Sequence, residues 1–456
     1  MREKALSTFT FLREFLSKGH QRSVKAKKNI IVSFIVKGFS IIVGLAFVPL
    51  TVSYVNPLRY GIWLALSSII GWFSYFDIGF GNGLRNKFAE SIAKKEYDTA
   101  RIYVSTTYAV ITALALFCIL IFVFVNPFIS WTKILNAPAG MAKELEWLAL
   151  IVFIFFWMQF VLQLITTIIT ANQEAAKASF FNLLGSIFSL VFIFILTKTT
   201  SGNLIYLGSV LSIVPVLVLL IASLWFYNRG YKMYAPSFKF IRLRYARNLM
   251  GLGFNFFIIQ IAALILFQTD NIVITQLFSP REVTTFNIAF KLFSVIIMAF
   301  SIIITPLWSA FTEAYTNKDF EWIKGTLSKL RKIWLVLVLI TIFTLIISPL
   351  IFKLWMGDKV KIPFSLSVAL SFYIIVCSWQ NIHVYFLNGI GKIRLQLYLV
   401  IVSGLVNIPI AIVLGRAMGL AGVTLSNAIL FAVMGIVFSV QVKKIINNKA
   451  KGIWAK

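Results

Sequence analysis

The chain has 456 residues, of which 59% are hydrophobic and only 13% charged, with a formal net charge of +28 and a mean hydropathy of +0.89. That balance excludes an ordinary soluble globular domain. Apolar runs of about 20 residues, each long enough to cross roughly 30 Å of hydrocarbon as a helix, recur throughout and exclude a β-barrel built from short alternating strands.

Twelve spans are expected, near residues 29–54, 59–80, 102–126, 145–170, 176–197, 203–226, 249–277, 283–311, 332–353, 363–388, 393–415 and 418–441. Before them, residues 1–28 form a basic arm in which Phe9, Leu12, Phe15 and Leu16 have helical spacing; a short helix on the membrane surface and a disordered arm both fit. The arm is not a cleavable signal, because the first apolar run starts near Asn29 and is too long for a signal-peptide core. With the N-terminus placed in the cytoplasm, 32 basic residues fall in the two termini and the even-numbered connections, nine fall on the opposite side, and Lys37 and Lys291 lie within spans. The positive-inside rule therefore accounts for the charge, puts both termini in the cytoplasm and removes the case for nucleic-acid binding.

The second span ends in "YFDIGFGNGLRNKFAE", Tyr75 to Glu90. Asp77 falls near the cytoplasmic end of that span, and the glycines after it allow close helix contact or a turn into an amphipathic helix carrying Arg85 and Lys87. The spacing of "GFGNG" is not GxGxxG and follows an apolar helix, so it is not a nucleotide-binding loop. Cys118 and Cys377 fall inside spans as packing residues, and two histidines, His20 and His383, are too few for a metal or Cys/His catalytic cluster. No metal and no resident cofactor are expected.

A shift of 223 residues superimposes the chain on itself. Pro57 then falls on Pro280, and "FAESIAKKEYDTAR" (88–101) falls without a gap on "FTEAYTNKDFEWIK" (311–324), with Phe88/Phe311, Glu90/Glu313 and Lys95/Lys318 identical. The expected domains are a cytoplasmic arm (1–28), an N-terminal six-helix bundle (29–226), a basic linker (227–248), a C-terminal six-helix bundle (249–441) and a basic tail (442–456). An even number of spans per repeat gives both copies one orientation. The fold class is thus an all-α integral membrane protein, with two six-helix bundles around a central cleft.

The stretch "YGIWLALSSIIGWFSYFDIGFGNGLRNKFAE", followed by "AKKEYDTAR", resembles the first repeat of the polysaccharide-export (Wzx-type O-antigen flippase) branch of the MATE-like MOP flippase superfamily, with its D-x-G-x-G-N signature before a basic amphipathic helix. The likeness extends along the whole chain, although the later spans match mainly in hydropathy. It implies a flippase of the bacterial cytoplasmic (inner) membrane that moves undecaprenyl-pyrophosphate-linked oligosaccharides by alternating access for O-antigen, capsule or exopolysaccharide synthesis. Its partners would be the lipid-linked glycan, membrane lipids and polysaccharide polymerase machinery.

Charges inside spans are costly and call for a function or a partner. Lys37, about 12 Å into the first span, Lys291, about 12 Å from the outer end of the eighth, and Arg85 are candidates for attracting the pyrophosphate. Asp270 lies at a depth similar to that of Lys291, so an Asp270/Lys291 ion pair is one expectation and a gate or coupling site is the other. Gln260, Gln268, Gln380 and Asn381 could contact sugar hydroxyls or tie helices together. Asp77 and His383 join Asp270 as coupling or gating candidates, with a proton or sodium ion as the coupling species. A MATE-type cation-coupled multidrug exporter is the alternative with the same architecture, but two deep lysines against one deep aspartate favour an anionic cargo. A membrane enzyme is disfavoured because the outer carboxylates Glu144, Glu146 and Asp358 look like solvated charges in short loops.

Overall fold

The computed structural model describes residues 21–77, 80–172, 174–246, 269–305 and 307–455. Among the described residues the secondary structure is helical and contains no strand, as a chain in hydrocarbon requires when backbone groups must be satisfied within their own segment. In chain order the first half contains α1 (Gln21–Val55), α2 (Pro57–Gly71), α3 (Phe80–Ala93), α4 (Tyr97–Val125), α5 (Ala142–Leu162), α6 (Leu164–Ala171), α7 (Ala175–Thr199) and α8 (Leu204–Asn228). The second half contains α9 (Asp270–Leu277), α10 (Pro280–Ile304), α11 (Leu307–Thr316), α12 (Phe320–Met356), α13 (Phe364–Gly389), α14 (Arg394–Met418) and α15 (Leu420–Ile446).

Ten helical stretches among the described residues are long and apolar enough to cross a membrane. The second expected span differs: α2 stops at Gly71 and gives way to a 3₁₀ turn, Trp72–Asp77, before α3 begins. Of the seventh expected span, α9 is its last eight residues, and 247–268 lie outside the described residues.

The 223-residue offset is visible in the backbone. Pro57 and Pro280 both open a helix at its first position, and the residues before them, Asn56 and Ser279, both cap it with a side-chain oxygen that accepts from the backbone N–H three residues on. At the other end of the repeat, Lys95 and Lys318 both adopt positive φ, 62° and 59°. Each sits in the same turn, closed by Glu96 N–H to Ser91 O (2.9 Å) in one copy and Asp319 N–H to Ala314 O (2.8 Å) in the other. Phe88 and Phe311 are both fully buried beneath these turns.

Within the first half α1 packs on α7, α5 on α8 and α3 on α4 and α6; within the second, α13 packs on α15 and α12, and α15 on α14. The linker that follows α8 lies on the first half: Arg101 Nε donates to Ala235 O (3.0 Å) and Ser237 N–H donates to Ser105 Oγ (3.1 Å). Glu144, expected to be solvated, instead faces Arg59 at 3.5 Å and accepts from Leu204 N–H (3.3 Å), so it holds the start of α8.

The halves meet chiefly through α2 against α9 and α10, and α1 against α10. Gly61 makes the closest approach, because a Cβ there would lie 1.6 Å from the carbonyl oxygen of Pro280. Beside it Thr284 Oγ1 donates to Pro57 O (2.6 Å). Around the same end Asn136 Nδ2 donates to Thr275 O (3.0 Å), Gln276 Nε2 to Ile134 O (2.6 Å) and Trp355 Nε1 to Leu45 O (3.0 Å), and Lys359 bonds Ser53. At the opposite end, which carries most of the basic residues, α3 and α11 each pack within their own half.

Gly61→Ala is expected to destabilise the protein by about 1–3 kcal/mol through overpacking, read as a lower unfolding temperature in detergent. Gly325→Ala, at a helical glycine with open space around it, is expected to leave that temperature nearly unchanged; equal behaviour of the two variants would contradict the α2–α10 contact.

Candidate functional site

Lys291 sits on α10, half-buried, and its side chain crosses toward α1. A Cβ on Gly44 would lie 3.5 Å from Lys291 Cε and 3.7 Å from its Nζ, so the ammonium lies against α1 at van der Waals distance. Lys37 precedes Gly44 by seven residues, two helical turns, and so falls on nearly the same face of α1, about 10 Å along the axis. Lys37 is exposed. Neither lysine has an acidic partner among the described residues.

The expected Asp270/Lys291 pair does not form. Asp270 lies in the first turn of α9, where the free N–H groups of the helix start favour a negative charge, and its side chain turns into the second bundle instead. Asn427 Nδ2, on α15, donates to Asp270 Oδ2 (2.7 Å), and Asn407 Nδ2, on α14, donates to Asn427 Oδ1 (2.7 Å). Asp270 Oδ1 is buried and has no hydrogen-bond partner among the described residues. Equal depth along neighbouring helices was therefore not enough, because the two side chains point in different directions around their axes.

A second chain of amides bridges the halves next to this site. Asn287 Nδ2 donates to Asn271 Oδ1 (2.7 Å), and Asn271 Nδ2 donates to Ser68 Oγ on α2 (2.6 Å). Partnered polar groups at this depth hold α2, α9 and α10 in one register.

Arg85 lies apart from Lys37 and Lys291. It is exposed and lines a cavity of about 270 Å³ with Gln163, Thr166, Thr167 and Thr170, at the break between α5 and α6. Gln163 also borders a second polar cavity of about 390 Å³, shared with Gln159, Asn182, Ser186 and Ser189 inside the first bundle. On the surface of α3, Glu90 is held by Lys87 (2.8 Å) and Lys94 (2.7 Å), whose hydrogen bonds push its carboxyl down to about 2. This exposed cluster is a solvated face and contributes little.

The remaining candidates are scattered. Gln380 is buried in the α13–α15 contact, with its Cβ 3.4 Å from where a side chain on Gly435 would begin, and Asn381 reaches Cys377 Sγ at 4.0 Å. His383 is buried with its Nδ1 3.2 Å from Trp379 O and its ring edge-on to Trp379. Asp77 closes the 3₁₀ turn after α2, and its side chain lies outside the described residues, as do Gln260 and Gln268 entirely. Among the described residues no cluster of His, Cys, Asp and Glu could hold a metal ion.

Asn407, Asn427, Gln159, Gln163, Asn182 and Ser186 were not among the residues expected from the sequence. A signal was present: Gln159/Gln163 and Asn182/Ser186 recur at four-residue spacing inside apolar spans, which puts each pair on one helical face.

Residues 26–311 match the family described as polysaccharide biosynthesis protein. The chain is 24% identical over 342 residues, 74% of its length and 76% of the relative's, to a protein of Yersinia pseudotuberculosis whose name assigns it to O-antigen export. It is 20% identical over 427 residues, 86% and 90% of the two chains, to one of Salmonella typhimurium named for O-antigen transport. Among solved structures, a multidrug resistance MATE family transporter of the MOP superfamily in its inward-facing conformation aligns with a TM-score of 0.75 at 16% identity, over 92% of this chain and 98% of that one. The outward-facing conformation of such a transporter aligns with a TM-score of 0.68 at 17% identity, over 94% and 96%. Because the family match covers more than half of the sequence and the fold agrees over nearly all of it, the chain is a multi-pass membrane protein with the MATE-type fold and belongs to the polysaccharide biosynthesis protein family.

Proposed function

We propose that the protein is a flippase that moves undecaprenyl-pyrophosphate-linked oligosaccharide repeat units across the bacterial cytoplasmic membrane for the synthesis of a surface polysaccharide. The observation that carries this reading is the pair Lys37 and Lys291. Lys37 on α1 and Lys291, whose ammonium lies against nearly the same face of α1, have no acidic partner among the described residues and fall within expected spans. Such charges are costly in hydrocarbon unless water or an anion meets them, and a pyrophosphate supplies the matching charge. The family and the relatives named for O-antigen export and transport support a lipid-linked glycan as the cargo.

The glycan would cross in the cleft while the undecaprenyl chain stays in lipid. The polar cavities around Arg85, Gln163 and Asn182 offer the dense donors and acceptors that sugar hydroxyls need. Among the described residues, contacts across the halves gather at the Pro57/Pro280 end, and the positive-inside distribution would put that end outside, which supports reading this structure as the inward-facing state of an alternating-access cycle. The better alignment to an inward-facing relative supports the same assignment. Rocking the bundles about the α2–α10 contact would expose the cleft to the other side. Polymerase machinery would then take up the delivered repeat units outside.

Asp270, with an unpartnered oxygen and the Asn427–Asn407 chain behind it, is the proposed coupling group, exchanging a proton or a sodium ion as the bundles move. Only a ligand that binds the two states differently can bias them, and α9, which carries Asp270, packs against α2 of the other half. A multidrug exporter of the same fold would need an acid facing the cargo, whereas Asp270 faces into its own bundle.

Deleting the gene is expected to accumulate undecaprenyl-pyrophosphate-linked repeat units, seen by mass spectrometry, with loss of one surface glycan. The intact gene restores both, and Lys37→Gln/Lys291→Gln, at equal protein level, leaves at least a tenfold excess of the lipid intermediate. Full restoration by the double variant would remove the role given to the lysines, and unchanged lipid intermediates in the deletion would contradict the flippase. Asp270→Asn is expected to abolish the dependence of flipping in proteoliposomes on an imposed proton or sodium gradient; an Asp270→Asn protein that still responds to the gradient like the wild type would show that coupling lies elsewhere.

A further inference from the structure

A cavity of about 550 Å³ opens at the basic end of the second bundle, between the start of α12 and the ends of α13 and α15. Its walls carry Lys324 and Arg331 from α12, Lys443 from α15 with Asn447 just after it, and Trp379 and His383 from α13. The volume lies within the usual range for a bound small molecule. It is separate from the Lys37/Lys291 face, which lies between α1 and α10.

The cations in this cavity are not equivalent. Lys324 is paired with Glu321 at 2.9 Å. Arg331 and Lys443 have no acidic partner among the described residues. Lys444, the next residue along, is occupied elsewhere, because its ammonium sits 3.9 Å from the ring centre of Trp454 where the tail folds back on α15. Arg331 is eleven residues inside α12, about 16 Å along the axis from its start, and like Lys443 it is exposed, where the expected ninth span begins.

The internal repeat supplies a control within the same molecule. At the 223-residue offset Arg101 corresponds to Lys324 and Tyr108 to Arg331. In the first bundle those positions are tied to neighbouring groups, Tyr108 borders a mainly apolar cavity of about 440 Å³, and the second of them is uncharged. Arg101 bonds Ala235 O and lies 4.4 Å from the ring centre of Phe240, Tyr227 OH donates to Tyr108 OH (3.1 Å), and the linker from Pro236 to Ile241 walls the space beside them. The second bundle has no such linker there, and it places a guanidinium where the first has a phenol. Two cations that face one cavity beside an aromatic ring, with no acidic partner among the described residues, suit a bound anion.

We propose that this cavity binds the phosphate headgroup of an anionic phospholipid, with Arg331 and Lys443 donating to the phosphate oxygens. The planar guanidinium can engage two oxygens at once and the ammonium a third. Trp379 and the apolar residues Leu327 and Ile446 wall the same cavity and suit the glycerol and first acyl carbons. The shared chemistry, a phosphate held by two cations, would also suit a soluble pyrophosphate, so the test separates the two. It does not depend on what the protein transports.

Purified full-length protein is titrated with phosphatidylglycerol and with phosphatidylcholine of the same acyl chains, and adducts are counted by native mass spectrometry. Phosphatidylglycerol adducts are expected to exceed phosphatidylcholine adducts about tenfold, and Arg331→Gln/Lys443→Gln is expected to cut the ratio to near one. Lys449→Gln/Lys451→Gln, which removes the same charge from the tail, should leave the ratio as in the wild type. Lys443→Gln alone, at the exposed end of α15, should lower it about threefold and carries the test if the double variant does not accumulate. Equal adducts for the two lipids, or an unchanged ratio in the cavity variants, would overturn the site. Displacement of phosphatidylglycerol by millimolar sodium pyrophosphate would overturn the lipid assignment in favour of a free anion.

Discussion

The contact between Gly61 and the carbonyl of Pro280 sets how the two halves of this chain meet. In a bilayer there is little hydrophobic drive between helices, so bundles associate where backbones can come close and polar groups can pair. Gly61 allows the first, and Thr284 on Pro57 together with Asn287, Asn271 and Ser68 supplies the second. Among the described residues, the bonds that cross from one half to the other are anchored from this end: the Asn136 and Gln276 bonds, the Trp355 contact with α1, and the close approach of Lys291 to Gly44. Closing the halves here leaves α3 and α11, at the basic end, packed within their own bundles.

The repeat makes the two bundles alike in backbone and the sequence makes them unlike in charge. Pro57 and Pro280, Lys95 and Lys318, and Phe88 and Phe311 show one architectural plan used twice. The first bundle carries the polar cavities around Gln163, one of them bordered by Arg85, and the Tyr108–Tyr227 pair beneath its linker. The second carries the buried Asp270–Asn427–Asn407 chain and the free cations of the α12–α15 cavity. In the proposed cycle this division gives one bundle to the glycan and the other to the coupling ion and an anionic lipid, with Lys37 and Lys291 between them.

Much of the fold could be read from residues alone, because apolar run length, lysine and arginine placement and the 223-residue offset each report on physics local to the sequence. Depth along a helix was readable too, from 1.5 Å per residue. Direction around the helix was not. Of the two expectations for Lys291 and Asp270, the ion pair does not form, since the 100° turn per residue makes the facing partner depend on the phase of each helix in the bundle. The break after Gly71 was hidden because the aromatic residues of "GWFSYFD" continue the apolar run of the helix before it. Asn407 and Asn427 went unnoticed for a different reason: each is a lone amide in an apolar span, and only the meeting of α14 and α15 turns the two into a chain that ends on Asp270.

The central claim is that the halves are closed at the Pro57/Pro280 end, are open at the basic end, and exchange these states during transport. The most direct measurement is double electron–electron resonance in nanodiscs on two spin-labelled pairs, Ser130→Cys/Arg281→Cys at the closed end and Lys95→Cys/Lys318→Cys at the basic end. Without substrate, the account predicts a narrow short-distance population for the first pair and a long one for the second, with both shifting in opposite directions when lipid-linked oligosaccharide is added. Distances that shift together, or that stay fixed at both ends, would contradict it.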